Sequence, residues 1–372
     1  MGWFPKVAGG LDRYVYELTH QLAANQDRIE LCGIELPKDL PGSPLKLTNL
    51  ASSNNSLLQR LWNTHFNFSN ELSNNRSLQL DAINIHFALY GLPLLNSLPK
   101  GIPVTFTFHG PWALESEQEG TSRLSVLLKY WVEQQVFQRC DRFIVLSKSF
   151  GKILHQHYQI PWNKIHIIPG GVNLAQFQPN LSRGQAREQL GWSQDRLILF
   201  TPRRLVHRMG LDKLLVAVDR LRARTPEIWL AIAGKGPIHT LLEQQVMELE
   251  LSDHVKLLGF LPDEQLPIAY QAADLTVVPS QSLEGFGLVL LESLACGTPA
   301  MCTPVGGMPE VLAPLSPNLI ARSPEVTDIT GCIDELLLGK VPMPSRQACR
   351  DYVAAHFDWQ TIAQQVRQVL LA

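Results

Sequence analysis

From residue 11 onward the apolar positions alternate between two periods. Residues 11–24 carry them at helical spacing, and residues 125–137 read as a long helix. Residues 29–34, 82–86, 104–108 and 143–146 are short apolar runs of strand length. Residues 49–77, rich in Asn and Ser with Trp62, Phe66 and Phe68, are expected to form a helix with flexible flanks. A second series follows: runs at 197–200, 229–233, 255–258, 275–278 and 300–302 read as strands with helices between them. Strand and helix in strict alternation favour parallel sheets with crossover helices. Residues 359–371 form a last amphipathic helical stretch with one cation, Arg367, too few to suggest a membrane-surface helix.

Bulk composition narrows the class. A chain of 372 residues suggests two domains. Its 45% apolar and 18% charged content is that of a soluble globular protein, and a net charge of −2 does not suggest a nucleic-acid partner. Six scattered cysteines without a C-x-x-C pair read as buried reduced thiols of a cytoplasmic protein. No apolar run reaches the ~18 residues of a membrane span, and no signal peptide is expected.

The richest stretch is residues 279–299, which reads as strand end, loop, helix, stop and next strand. The helix is expected over 288–295, with Gly297 and Pro299 ending it. Gly285, Phe286 and Gly287 stand where strand hands over to helix. There free N–H groups and the positive dipole end favour an anion, and glycine lets a ligand approach the backbone. Leu288 and Val289 would supply the first helical N–H groups. Glu284 precedes the helix. Glu292 is expected roughly two turns along it, about 12 Å away at ~1.5 Å per residue. Two carboxylates flanking an anion site suit a long ligand with sugar hydroxyls at each end and phosphates between.

On these residues the chain resembles retaining glycosyltransferase family 4, the glycogen-synthase-like group, through its E-x7-E signature with EGFG before and ACGTP after. The resemblance implies the α/β architecture called GT-B, two Rossmann-like domains facing across a cleft. It implies a nucleotide-sugar donor, no cofactor and no required metal. It places Glu284 by the donor sugar and Glu292 on the ribose. It suggests an N-terminal acceptor-side domain over 1–172, a nucleotide-sugar domain over 173–355, and a helix over 356–372 returning to the first. Residues 49–77 would then help form the acceptor side, or serve as a surface helix with anchoring aromatics. Members of the family begin with a strand before the first glycine loop, and this pattern starts inside the loop, so the first strand is expected to be missing.

Other segments carry the resemblance further. Gly9-Gly10 before a helix resembles the N-terminal glycine loop. His109 ends an apolar strand and resembles the histidine that contacts the donor sugar. Residues 202–212 resemble G-R-L-V-x-x-K-G: Arg204 aligns with the diphosphate arginine, Met209 stands at the lysine position, and Arg208 is the candidate second cation. A departing diphosphate gains negative charge, which without a metal must be met by cations and helix N-termini. Gly234 and Leu261 resemble a second glycine turn and the segment that meets the base. Residues 306–310 resemble G-G-x-x-E, read as structural. His155 and His157 are expected on the surface, not on a metal. No Asp-x-Asp pair occurs, which argues against metal-dependent nucleotide-sugar transfer; P-loop and G-x-S-x-G motifs are absent too.

The expectation is a retaining hexosyl transfer to a hydroxyl of a saccharide or lipid-linked acceptor, with a UDP-sugar favoured over GDP-mannose. Peripheral contact with the inner face of a membrane goes with a lipid-linked acceptor. The alternatives are a nucleotide-sugar epimerase of the same fold and a non-catalytic nucleotide or sugar binder.

Overall fold

The computed structural model describes residues 3–4, 9–37, 45–74 and 80–372. The chain divides into two compact units, Met1–Gly170 with Trp359–Ala372, and Gly171–Asp358.

In the first unit β1 (Glu30–Ile34) and β2 (Lys46–Ala51) form a parallel pair. β3 (Ile83–Ile85), β4 (Val104–Phe108), β5 (Arg142–Val145) and β6 (Ile165–Ile167) form a parallel sheet in that order. β4 is buried at every position, so its apolar run needs no alternation. Phe106, Phe108, Phe137, Phe143 and Phe150 fill the core around it. Among the described residues no strand joins the two sheets. Of the first eight residues only Trp3 and Phe4 are described; both are buried, edge-on to Tyr16 at 5.3 Å.

The stretch 49–77 differs from expectation. Its start belongs to β2, followed by the helix Leu57–Asn74, and residues 75–77 lie outside the described ones. β2 escapes the apolar signal because Lys46, Thr48 and Asn49 interrupt it; its first four positions are not buried. The helix Trp359–Leu371 closes this unit. Trp359 packs edge-on to Tyr14 at 5.1 Å, and Arg367 pairs with Asp27 at 2.8 Å.

In the second unit β7 (Leu197–Pro202), β8 (Ile228–Ala233), β9 (Val255–Gly259), β10 (Leu275–Val278) and β11 (Ala300–Cys302) form one parallel sheet in the order β11-β10-β7-β8-β9. From β7 the chain winds outward through β8 to β9, then returns to place β10 on the other side of β7. The strand order therefore reverses between β7 and β10. In open parallel sheets the loops leaving the carboxyl ends of the two strands at such a reversal diverge, opening the crevice where ligands bind.

Candidate active site

The two loops at that reversal carry Arg203 to Arg208 after β7 and Glu284 to Gly287 after β10. β10 ends at Val278, and the helix Leu288–Ala295 begins at Leu288, capped by Gly287 with no side-chain cap. Its first N–H groups, including those of Leu288 and Val289, have no intrahelical acceptor and carry the positive end of the helix dipole. Phe286 turns into the core, 4% exposed and edge-on to Phe357 at 5.9 Å, so at this position only the backbone is offered to a ligand. Glu284 is held from behind: Gly307 N–H donates to its carbonyl at 3.0 Å. Gly306 has φ +59, and a Cβ there would lie 1.7 Å from the same carbonyl oxygen, so only glycine fits.

The Glu284 carboxylate is almost buried, with its side chain 12% exposed, and it is ion-paired to Arg203. The Ser280 hydroxyl donates to Glu284 Oε2 at 3.2 Å. Burial alone would push this carboxyl up. The Arg203 guanidinium, then Arg208 and Ser280, outweigh that and hold it below its ordinary value. Glu284 is therefore anionic, a hydrogen-bond acceptor and not a proton donor.

Arg203, Arg204 and Arg208 follow β7 but are placed differently. Arg203 has an 8%-exposed side chain, and its Nη2 reaches Ser280 Oγ at 2.7 Å, Glu284 and the Met209 sulfur. Arg208 is also buried and donates from Nη1 to the Leu283 carbonyl at 3.0 Å. Arg204 is exposed, and its side chain makes no hydrogen bond or ion pair with the described residues. The structure thus brings Arg203 and Arg208, rather than Arg204, to Glu284. Arg203 was missed because the motif's register puts its arginine one position later.

Glu292 is the fifth residue of its helix, one turn from the start rather than two. The helix begins four residues after Glu284, so much of the eight-residue interval is loop. Glu292 is 6% exposed and accepts from the Tyr270 hydroxyl at 2.8 Å. Gly234 ends β8. A Cβ there would fall 1.8 Å from the Arg203 carbonyl oxygen, so its lack of a side chain lets the β7 and β8 loops meet. Leu261 is half-buried beside Phe260, which is 50% exposed with the Lys235 ammonium 5.4 Å from its ring centre.

In the first unit Gly9 caps the helix Gly10–Ala24, again without a side-chain cap. His109 follows β4. Its Nε2 lies 3.0 Å from His86 Nδ1, and Tyr14 stands edge-on to it at 4.9 Å. Burial depresses both imidazoles, His86 to about 4 and His109 well below its ordinary value, the latter further lowered by His86. Both rings are neutral, so His109 can offer hydrogen bonds but not charge. The Tyr14 hydroxyl is buried without a partner among the described residues. His86 was legible as a second strand-end histidine; nothing in the sequence ties Tyr14 to either ring. His155 and His157 are exposed, and the described residues contain no cluster of metal-ligating side chains.

Two Rossmann-like α/β units are the architecture of the GT-B class of glycosyltransferases. Family models agree: Glycosyltransferase Family 4 matches residues 8–176 and Glycosyl transferases group 1 matches residues 182–356. The chain belongs to this glycosyltransferase family. It is 32% identical over 271 residues to the D-inositol 3-phosphate glycosyltransferase of Mycobacteroides abscessus, covering 71% of this chain and 59% of that protein. It is 32% identical over 203 residues to a GDP-mannose-dependent alpha-(1-6)-phosphatidylinositol monomannoside mannosyltransferase of Mycolicibacterium smegmatis, covering 52% of each. The chain thus spans little more than half the length of these relatives. Among solved structures, the sucrose-phosphate synthase of Thermosynechococcus elongatus superposes with TM-score 0.83 over 97% of this chain and 93% of that one, at 24% identity. Anabaena Alr3699/HepE, solved with UDP-glucose, superposes with TM-score 0.76 over 99% and 98%, at 17% identity.

Proposed function

We propose that the protein is a retaining hexosyltransferase that moves a sugar from a nucleoside-diphosphate sugar to a hydroxyl acceptor without a metal. The observation carrying this reading is the anionic Glu284 between two buried arginines, beside an uncapped helix N-terminus at the sheet's reversal point. Such a site holds a diphosphate and meets the charge it gains on leaving. The bond from the anomeric carbon to the diphosphate breaks while the acceptor oxygen bonds to the same face. The acceptor proton passes to a diphosphate oxygen, so no protein nucleophile is needed. Glu284 orients sugar hydroxyls and Glu292 the ribose. Arg204 and Arg208 supply cations, and neutral His109 is the first unit's candidate contact with the donor sugar.

A UDP-sugar is preferred as donor, with GDP-mannose second. The acceptor is a saccharide, inositol phosphate or lipid-linked hydroxyl. A lipid-linked acceptor is supported by exposed apolar side chains on two first-unit helices: Leu58, Trp62 and Phe66 on Leu57–Asn74, and Leu124, Leu127, Leu128 and Trp131 on Arg123–Arg139. The described residues contain no helix long and apolar enough to cross a membrane, so contact with a lipid surface would be peripheral.

The test is incubation of the purified chain with UDP- and GDP-sugars, in chelator, with a panel of acceptors, followed by product analysis. Transfer with the anomeric configuration kept is the expected result. Epimerised free donor without transfer would establish the epimerase reading, and binding without turnover the non-catalytic one.

A further inference from the structure

Residue 209 is the position where the family resemblance calls for a lysine and this chain has methionine. The structure shows what occupies the space a cation there would reach. The Arg203 guanidinium comes in from the start of the same loop and lies against the Met209 sulfur, with Nη2 also on Ser280 at 2.7 Å and on Glu284. Met209 is 5% exposed and carries no charge, so it forms the apolar wall against which the planar guanidinium rests.

Arg203 and Arg208 both act on the Glu284 carboxylate, Arg203 the more strongly. Arg203 Nε is buried with no acceptor among the described residues, so its pairing there is incomplete. Burying an arginine this way is costly unless an anion completes the set. The helix Leu288–Ala295 begins just beyond Glu284 and adds its positive end to the same place.

We propose that Arg203 is a further diphosphate-holding cation of this site, beside Arg204 and Arg208, taking the place of the lysine that Met209 displaces. The inference rests on the nucleoside-diphosphate reading above and adds a residue to it. An arginine in this role binds phosphate through a planar fork rather than as a point charge. The pair Arg203 and Met209 then acts as a unit: the methionine clears space and charge from position 209 so that the guanidinium can fill it.

The two positions can be exchanged. Calorimetric binding of UDP and GDP, with uridine and guanosine as phosphate-free controls, is measured for the unaltered chain, Arg203→Ala, and Arg203→Ala with Met209→Lys. The expected result is a loss of at least tenfold in nucleoside-diphosphate affinity for Arg203→Ala with nucleoside binding unchanged, and recovery of most of that loss on adding Met209→Lys. If the unaltered chain binds neither nucleoside diphosphate, the reading of the site itself is overturned. If it binds one and Arg203→Ala leaves that affinity unchanged, the role of Arg203 is overturned. It is equally overturned if Arg203→Ala weakens nucleosides as much as diphosphates, or if Met209→Lys restores nothing.

Discussion

His86 and His109 show how one residue type is set to a single state by its surroundings. Each ring is half-buried against the other, and the resulting loss of hydration keeps both neutral near neutral pH. In the unfolded chain both would titrate near ~6.5. Their contribution to stability is therefore present above that value. It is lost as pH falls through the folded value, about 4 for His86, because the unfolded state takes up protons first. Thermal stability should fall as pH drops from ~6.5 to about 4, and His86→Gln should reduce that loss. Ring-proton shifts of both histidines should stay constant from pH ~5.5 to ~8. Titration in that window would mean the pair is not closed as described. Surroundings separate the arginines too: adjacent in the loop after β7, Arg203 is turned inward onto Ser280 and Glu284 while Arg204 is exposed.

At the scale of elements, the turn after β4 depends on a residue distant in sequence. Glu133, on the helix Arg123–Arg139, accepts from the N–H groups of Trp112 at 2.8 Å and Ala113 at 3.2 Å, and from the Tyr158 hydroxyl at 2.8 Å. It caps the helix Trp112–Gln118 from outside and so fixes Gly110 and Pro111, which follow His109. Burial pushes its carboxyl up to about 7, against those three hydrogen bonds, and nearby Glu115 adds to the rise. A raised folded value contributes stability that is present below the unfolded value of ~4.5 and lost as pH rises through about 7. The size is about 3 kcal/mol for a rise from ~4.5 to about 7. Glu133→Gln should therefore flatten the dependence of melting temperature on pH between ~4.5 and ~7, opposite in sign to the histidine effect. Glu133→Ala should cost about 1–3 kcal/mol by uncapping two buried N–H groups. A pH profile unchanged by Glu133→Gln would show that the carboxyl titrates normally.

At the scale of the whole molecule, each unit has its own core and its own exposed features. The first carries two apolar faces on helices flanking the segment 88–94. On Arg123–Arg139, buried positions occur only from Val132 onward, so the first half, with Leu124 and Leu127 81% and 64% exposed, stands clear of the core. Across residues 57–66 and 123–131 there are three cations, Arg60, Arg123 and Lys129, and no carboxylate. Glu117 and Glu119 lie exposed just before the second face. This pattern suits an anionic lipid surface, where apolar burial and cationic attraction act together. Sedimentation with vesicles containing anionic lipid should retain the chain, and Leu124→Glu with Trp131→Glu should release it. Failure to bind, or self-association in place of binding, would assign these faces to another partner.

The sequence by itself determined the elements of the second unit closely. The helix predicted over 288–295 is the one found, and the five strand runs lie within a residue or two of β7 to β11, because parallel strands buried over most of their length, as β7, β8, β10 and β11 are, read as apolar runs. It was weaker at β2, half exposed and polar, where apolar spacing carries little signal. The glycine run and Glu284 were legible because a strand-to-helix turn that exposes backbone needs those residue types in that order. Tertiary structure alone decided which cation reaches Glu284, that Glu292 sits one helical turn in and bonds Tyr270, that His109 is paired to His86, and that Glu133 caps a helix some twenty residues away. Each of these depends on a contact between segments far apart in the chain. Burial and charge at such contacts are set by the sheet's strand order, which local periodicity does not encode.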